Sequence, residues 1–332
     1  MFKMTGLFLT VMLPLVVTTA ADADPKRWMN EGWAQTDFSK TSISFNEIVS
    51  GGPPKDGIPA IDNPRFKPVS EIDNLAGIEP VIGLEIGNEA RAYPLRILIW
   101  HEIVNDNVGG VPVVITYCPL CNSAVVFDRR VGDKVLDFGT TGKLRKSDLV
   151  MYDRQTESWW QQFTGEAIVG DLLGADLNLV PARLEAFKDF KTRHPSGQVL
   201  VPNNPQMRRY GTNPYVGYDR ASAPFLYQGE MPEGIEPMAR VVVVKRKARK
   251  PVIVALAHLS RSGTITRDGV RLAWRAGQSS ALDTREISGG RDVGTVEAVS
   301  DAPATRGTPL AYDVTFAFVA HAFHPEIPIV GK

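Results

Sequence analysis

The 332-residue chain has two cysteines, and both fall in the run Tyr117-Cys118-Pro119-Leu120-Cys121-Asn122. Pro119 fixes one φ and Leu120 can cover the sulfurs, so the two Cβ atoms converge on a common point. Three chemistries use that geometry. The first is a dithiol–disulfide couple, in which the second thiolate lowers the pKa of the first. The second is metal ligation by the two thiolates, with His101 and His324 supplying further ligands and zinc or copper as the suited ions. The third has Cys118 as nucleophile and His101 as its base. Against all three stands a non-catalytic envelope module in which the pair only staples a tight turn.

Around His101 the run Trp100-His101-Glu102-Ile103-Val104-Asn105-Asp106 matches the zinc-protease HExxH in its first half only. Asn105 stands where the second histidine would be, so that metal site is rejected. His101 is still the best-placed histidine, because the next strand carries the cysteines back past it. Its alternative use is to cap a helix C-terminus. Asp56 sits in Gly51-Gly52-Pro53-Pro54-Lys55-Asp56-Gly57-Ile58-Pro59, a loop too costly to order without purpose. Asp56, Asn105 and Asp106 are therefore expected to shape the pocket. Gly139-Thr140-Thr141-Gly142-Lys143 has the wrong spacing for a phosphate loop. Trp159 and Trp160 are adjacent on a strand, one facing in and the other out. Arg145, Lys146, Asp148 and Arg154 read as a solvated, mutually paired face.

The elements that must position these residues are mostly strands. Val81–Ile86 and Glu89–Tyr93 flank Gly87-Asn88, a hairpin signal. Leu95–Val104 has helical spacing and opens after Pro94. Gly109-Gly110 turns the chain into the apolar strand Val111–Tyr117, which runs into the Cys118–Cys121 turn. Asn122 tolerates the left-handed conformation that such a knuckle needs. Strands are expected over 123–130, 134–138, 147–153 and 158–163, then an amphipathic helix over Arg183–Thr192 that stops at His194-Pro195. Residues 197–237 lack periodicity. Strands return at 239–245, 251–258, 270–275, 293–299 and 313–319. This pattern is α+β, predominantly antiparallel β with two or three short helices. A thioredoxin fold is excluded, because a strand rather than a helix follows the cysteines.

Lys and Arg total 37 and so do Asp and Glu, which leaves no basic footprint for nucleic acid. Residues 1–21 read as a signal peptide: Lys3, the apolar run Leu7–Val17, then small residues around Ala20. The run is shorter than the roughly 20 apolar residues that span a bilayer, so no membrane span is expected after cleavage. The protein is expected to be exported, periplasmic or secreted, with 22–44 as a polar tail. In that compartment a redox role implies a partner protein that exchanges the disulfide.

GGPPKDGIPAIDNPRF (51–66), RAYPLRILIWHEIVNDNVGGVPVVITYCPLCNSAVVFDR (91–129), LRKSDLVMYDRQTESWWQQFTGEAIVG (144–170) and YDVTFAFVAHAFHPE (312–326) together resemble the DUF3179 family of bacterial and archaeal proteins. The resemblance implies one domain over 45–332, with a sub-boundary near 200–237 as the alternative. It implies no activity, substrate or cofactor, so chemistry still rests on the residues.

Overall fold

The computed structural model describes residues 23–246 and 249–332; the expected signal segment lies outside them. The chain is α+β, with antiparallel sheets and, among the described residues, five α-helices of six or seven residues each.

Two sheets build the site. In one, the strands Asn178–Leu179, Ser123–Asp128, Val111–Cys118 and Ile103–Val108 lie side by side. Gly109 and Gly110, both at positive φ, turn Ile103–Val108 back into Val111–Cys118, and Ile103 pairs with Thr116. In the other, Ile48–Ser50, Phe138–Arg145, Asp148–Asp153, Trp159–Gln161 and Ala167–Val169 form an antiparallel sheet. Its central hairpin turns at Lys146 and Ser147, both at positive φ. Gly139-Thr140-Thr141-Gly142-Lys143 is a bulged stretch of this hairpin, with a register shift between Thr140 and Lys143, and has no loop to cradle a phosphate.

A third sheet orders Arg183–Ala186, Pro80–Ile86, Glu89–Pro94, Gln198–Val201 and Arg65–Pro68, with one parallel pair between Gln198–Val201 and Glu89–Pro94. Its hairpin closes at Gly87-Asn88 as the sequence indicated. Further on, Arg240–Val244 lies between Val252–Ala255 and Tyr312–Phe316. One hydrophobic core contains side chains from both sides of 200–237, from Ile61 and Tyr117 to Val242 and Phe316.

Several elements depart from the expected pattern. The helix after Pro94 is Leu95–His101 and ends at Glu102, three residues early, because Ile103 and Val104 are β-branched and find strand partners in Thr116 and Ile115. Asn105 and Asp106 are thus strand residues, and the i, i+4 relation to His101 is lost. Arg183–Ala186 is a strand and only Phe187–Arg193 is helical. The strands expected over 251–258 and 313–319 stop early, at Ala255 and Phe316, where the helices Leu256–Ser262 and Ala317–Phe323 begin.

From residue 23 on, the expected polar tail 22–44 packs onto the fold. Asp24 caps a helix at Pro25–Asn30, and Trp28 and Trp33 bury against the sheet with Tyr152 and Trp159. Ring centroids of Trp28 and Trp33 lie 5.0 and 5.2 Å from that of Trp159. This accounts for the tryptophan pair: both Trp159 and Trp160 are fully buried, one under the N-terminal segment and the other in the main core. Neither is free to stack on a ligand.

Among the described residues, no helix is long and apolar enough to cross a membrane.

Candidate functional site

The knuckle forms as its residues dictate. Cys121 N–H donates to Cys118 O at 3.2 Å, Asn122 N–H donates to Pro119 O at 3.2 Å, and Asn122 takes φ 49 before Ser123 pairs back with Cys118. The strand Tyr312–Phe316 fixes it from the side. Asn122 Nδ2 donates to Val314 O at 2.6 Å, and Thr315 Oγ1 donates to Cys121 O at 2.7 Å. Asp313 accepts from Ser123 Oγ at 2.5 Å and from Ala124 N–H at 2.9 Å.

Opposite the knuckle stands the Lys146-Ser147 turn. Both thiols face the Ser147 carbonyl, with Cys121 Sγ at 3.4 Å and Cys118 Sγ at 3.9 Å from its oxygen. The next residue, Asp148, brings a carboxylate oxygen to the sulfurs, so that one ligand atom from each of Cys118, Cys121 and Asp148 lies within 4.8 Å of the other two. All three residues are buried. Asp148 Oδ2 accepts from Gln161 Nε2 at 2.6 Å and from Phe163 N–H at 2.9 Å. Its Oδ1 is buried without a hydrogen-bond partner among the described residues.

A second buried carboxylate, Glu102, faces the same region from the end of the helix Leu95–His101. It is held at φ 58 and ψ −32, and its side chain makes no hydrogen bond among the described residues. Glu102, Asn122, Lys146 and Ser147 are four of the eight non-glycine residues at positive φ among the described residues. Such strain persists only where surrounding structure over-determines it, and it concentrates at functional sites.

Electrostatics follow from burial. Burial raises Asp148 to about 6, offset by the Gln161 and Phe163 donors and the neighbouring Cys121 thiol. Burial and then the Asp148 charge raise Glu102 to about 8. Both thiols are pushed up, chiefly by burial, Cys121 the further. Without an ion the site therefore favours protonated sulfurs. One cation approaches: Lys245 Nζ donates to Phe163 O, on the peptide segment whose N–H reaches Asp148, and burial lowers its pKa.

The segment between the strand Gln198–Val201 and Arg240 covers the site. Tyr218 Oη bonds Leu120 O at 3.1 Å and accepts Phe225 N–H at 3.2 Å, and Ser147 Oγ donates to Phe225 O at 2.6 Å. Tyr215 is raised by burial and by the nearby Glu102 and Cys118 charges.

The structure separates the other sequence candidates from the cysteines. No histidine nitrogen among the described residues lies within 4.8 Å of both sulfurs. His101 is buried with its ring engaged twice, Nδ1 at 2.7 Å from Pro59 O and Nε2 at 2.8 Å from Tyr210 Oη. His324 packs its ring 6.1 Å from Phe163, near Lys245 and Lys146. Asp56 accepts from Tyr152 Oη while its other oxygen rests buried against Gly139. Asn105 bonds Asp62 and the backbone of Phe138, and Asp106 bonds Arg91 and Tyr93. These are networks that join strands, and they share no hydrogen bond with the cysteine cluster.

Asp148 was missed in the sequence because Arg145, Lys146 and Arg154 make its surroundings look solvated. In the fold it is fully buried and Arg145 pairs with Glu47 instead. The one local signal was the turn between two predicted strands, which had to bring some side chain beneath it.

The model of a family described as a protein of unknown function, DUF3179, matches residues 55–327. The chain belongs to the DUF3179 family. The match spans the knuckle, Glu102, Asp148 and the covering segment alike. No curated protein and no solved structure matches this DUF3179 chain.

Proposed function

We propose that this DUF3179 protein binds one divalent metal ion between Cys118, Cys121 and Asp148. The observation that carries the reading is the buried cluster itself: a carboxylate oxygen of Asp148 and both sulfurs lie within 4.8 Å of one another, and the Asp148 Oδ1 has no N–H or O–H donor among the described residues. A buried carboxylate oxygen without a donor is costly, and a cation satisfies it. Metal–sulfur bonds of about 2.3 Å and metal–oxygen bonds of about 2.0–2.2 Å hold tetrahedral ligand atoms roughly 3.3–3.8 Å apart. The observed cluster needs only small rotations to reach that spacing.

Two thiolates with a carboxylate suit zinc; copper(I) is less favoured, because the third donor is a hard oxygen. Three protein ligands leave a fourth position for water or a substrate, the donor count of a catalytic rather than a structural zinc site. Export belongs to the same reading. In an oxidising compartment, an ion on both thiolates keeps them from closing into a disulfide. The thiol-redox alternative is less well supported, since burial raises both thiols and no helix dipole lowers either.

The test is elemental analysis of full-length protein purified without chelator, together with thiol counting. Near-stoichiometric zinc that is lost in Cys118→Ser and in Asp148→Asn is the expected result. A metal-free protein that takes up no more zinc than the Cys118→Ser/Cys121→Ser variant overturns the reading. If that protein also carries a reversible Cys118–Cys121 disulfide, redox chemistry replaces it.

A further inference from the structure

Away from the cysteines, a solvent-open cleft of about 720 Å³ lies between the edge strand Arg65–Pro68, the segment 71–75, the helix Leu95–His101 and the start of the covering segment. Lys67 pairs with Val199 and Arg65 with Val201, so the two cations project from the same face of the edge strand. Arg208 and Arg209 line the cleft from the covering segment, and Tyr210 beside them is held by its hydroxyl on His101.

Arg96, also in this cleft, is clamped by both oxygens of Glu79 at 2.8 and 3.0 Å. Arg65, Lys67 and Arg209 are exposed and Arg208 is half-buried. None has a carboxylate partner among the described residues, although Glu71 and Asp73 line the same cleft. Ile72, Leu75 and Ile97 add an apolar wall. In a chain with no net charge, this gathers unpaired cations beside apolar surface. Guanidinium groups match tetrahedral oxyanions through paired N–H donors, and the apolar wall suits a ligand with an organic body.

We infer that this cleft binds an organic phosphate or sulfate ester, its oxyanion held by Arg65, Lys67, Arg208 and Arg209 and its organic part lying on Ile72, Leu75 and Ile97. The inference is independent of the metal reading.

Calorimetric titration of the full-length protein with phenyl phosphate, phenyl sulfate and inorganic phosphate tests it. One of the two esters is expected to bind at one per chain, at least tenfold more tightly than inorganic phosphate, and to weaken as salt rises. Whichever ester binds better identifies the oxyanion. In an Arg208→Ala/Arg209→Ala variant with an unchanged melting temperature, that affinity is expected to fall at least tenfold. Absence of saturable ester binding overturns the inference. So does an ester that binds no better than inorganic phosphate, or one whose affinity the double variant leaves unchanged.

Discussion

Gln161 Nε2 donates to Asp148 Oδ2 at 2.6 Å, and this amide helps fix the carboxylate that stands beside the cysteines. Both residues are buried, one on each of two neighbouring strands. Removing the amide leaves Phe163 N–H as the one remaining N–H donor to Oδ2 among the described residues. Gln161→Ala is therefore expected to weaken zinc binding by about 10–100-fold, the usual cost of losing a group that orients a ligand. Chelator competition measures this. An unchanged affinity would show that Asp148 is oriented without Gln161.

Glu102 and Asp148 should each cost the metal-free protein stability as pH rises. Glu102 titrates at about 8 in the folded chain, above its ordinary 4.5, and Asp148 at about 6, above its ordinary 3.8. The native state thus holds protons that the unfolded chain releases. The resulting stabilisation is complete below the ordinary values and is lost as pH climbs through the folded ones. Between about pH 5 and pH 8 the denaturant midpoint of the metal-free protein should fall relative to that of Glu102→Gln, a comparison that cancels the opposite contribution of His101, His194 and His324, which burial lowers. A midpoint that rises relative to Glu102→Gln over this range would contradict the assignment.

Much of this site could be read from local pattern. The strand into Cys118, the left-handed Asn122 and the return strand all follow from a short stretch of chain. The absence of a thioredoxin helix follows from the same stretch. Asp148 could not be read this way, because a hairpin turning at Lys146 and Ser147 delivers it from elsewhere in the chain, beneath residues whose charges suggest solvent. His101 erred in the opposite direction. Its neighbours placed it near the cysteines in sequence, but the left-handed Glu102 ends the helix and the ring bonds Pro59 and Tyr210 instead. Likewise, burial in 22–44 is signalled only by scattered apolar residues, Trp28, Trp33, Phe38 and Ile43, whose partners lie on a sheet formed by residues far along the chain.

Gly142 tests how the Gly/Pro loop is fastened to that sheet. It sits at φ 70, and its carbonyl accepts Gly51 N–H at 2.8 Å. A Cβ there would collide with the Pro53 carbonyl oxygen. Gly142→Ala is expected to destabilise by at least about 1–2 kcal/mol from the backbone conformation alone, with the collision in addition. Urea unfolding checks it, and a change within about 0.5 kcal/mol would mean that the loop yields freely.

Access to the cysteines should depend on Asp219, which ties the covering segment to the strand Arg240–Val244. Its Oδ2 accepts from Ser280 Oγ at 2.6 Å and from Arg240 Nη2 at 3.2 Å, with both members of the ion pair buried. Breaking one side of a buried pair strands the other charge and costs about 3–5 kcal/mol. In Asp219→Asn the loss should fall first on the segment that Asp219 anchors, because Tyr218 Oη and Ser147 Oγ are its main polar ties over the cysteines. Alkylation of Cys118 and Cys121 in the metal-free, reduced protein should then quicken well before global unfolding. The comparison is the alkylation rate against the unfolding rate under the same conditions. If the two rise together, the segment does not open on its own and Asp219 stabilises the whole fold.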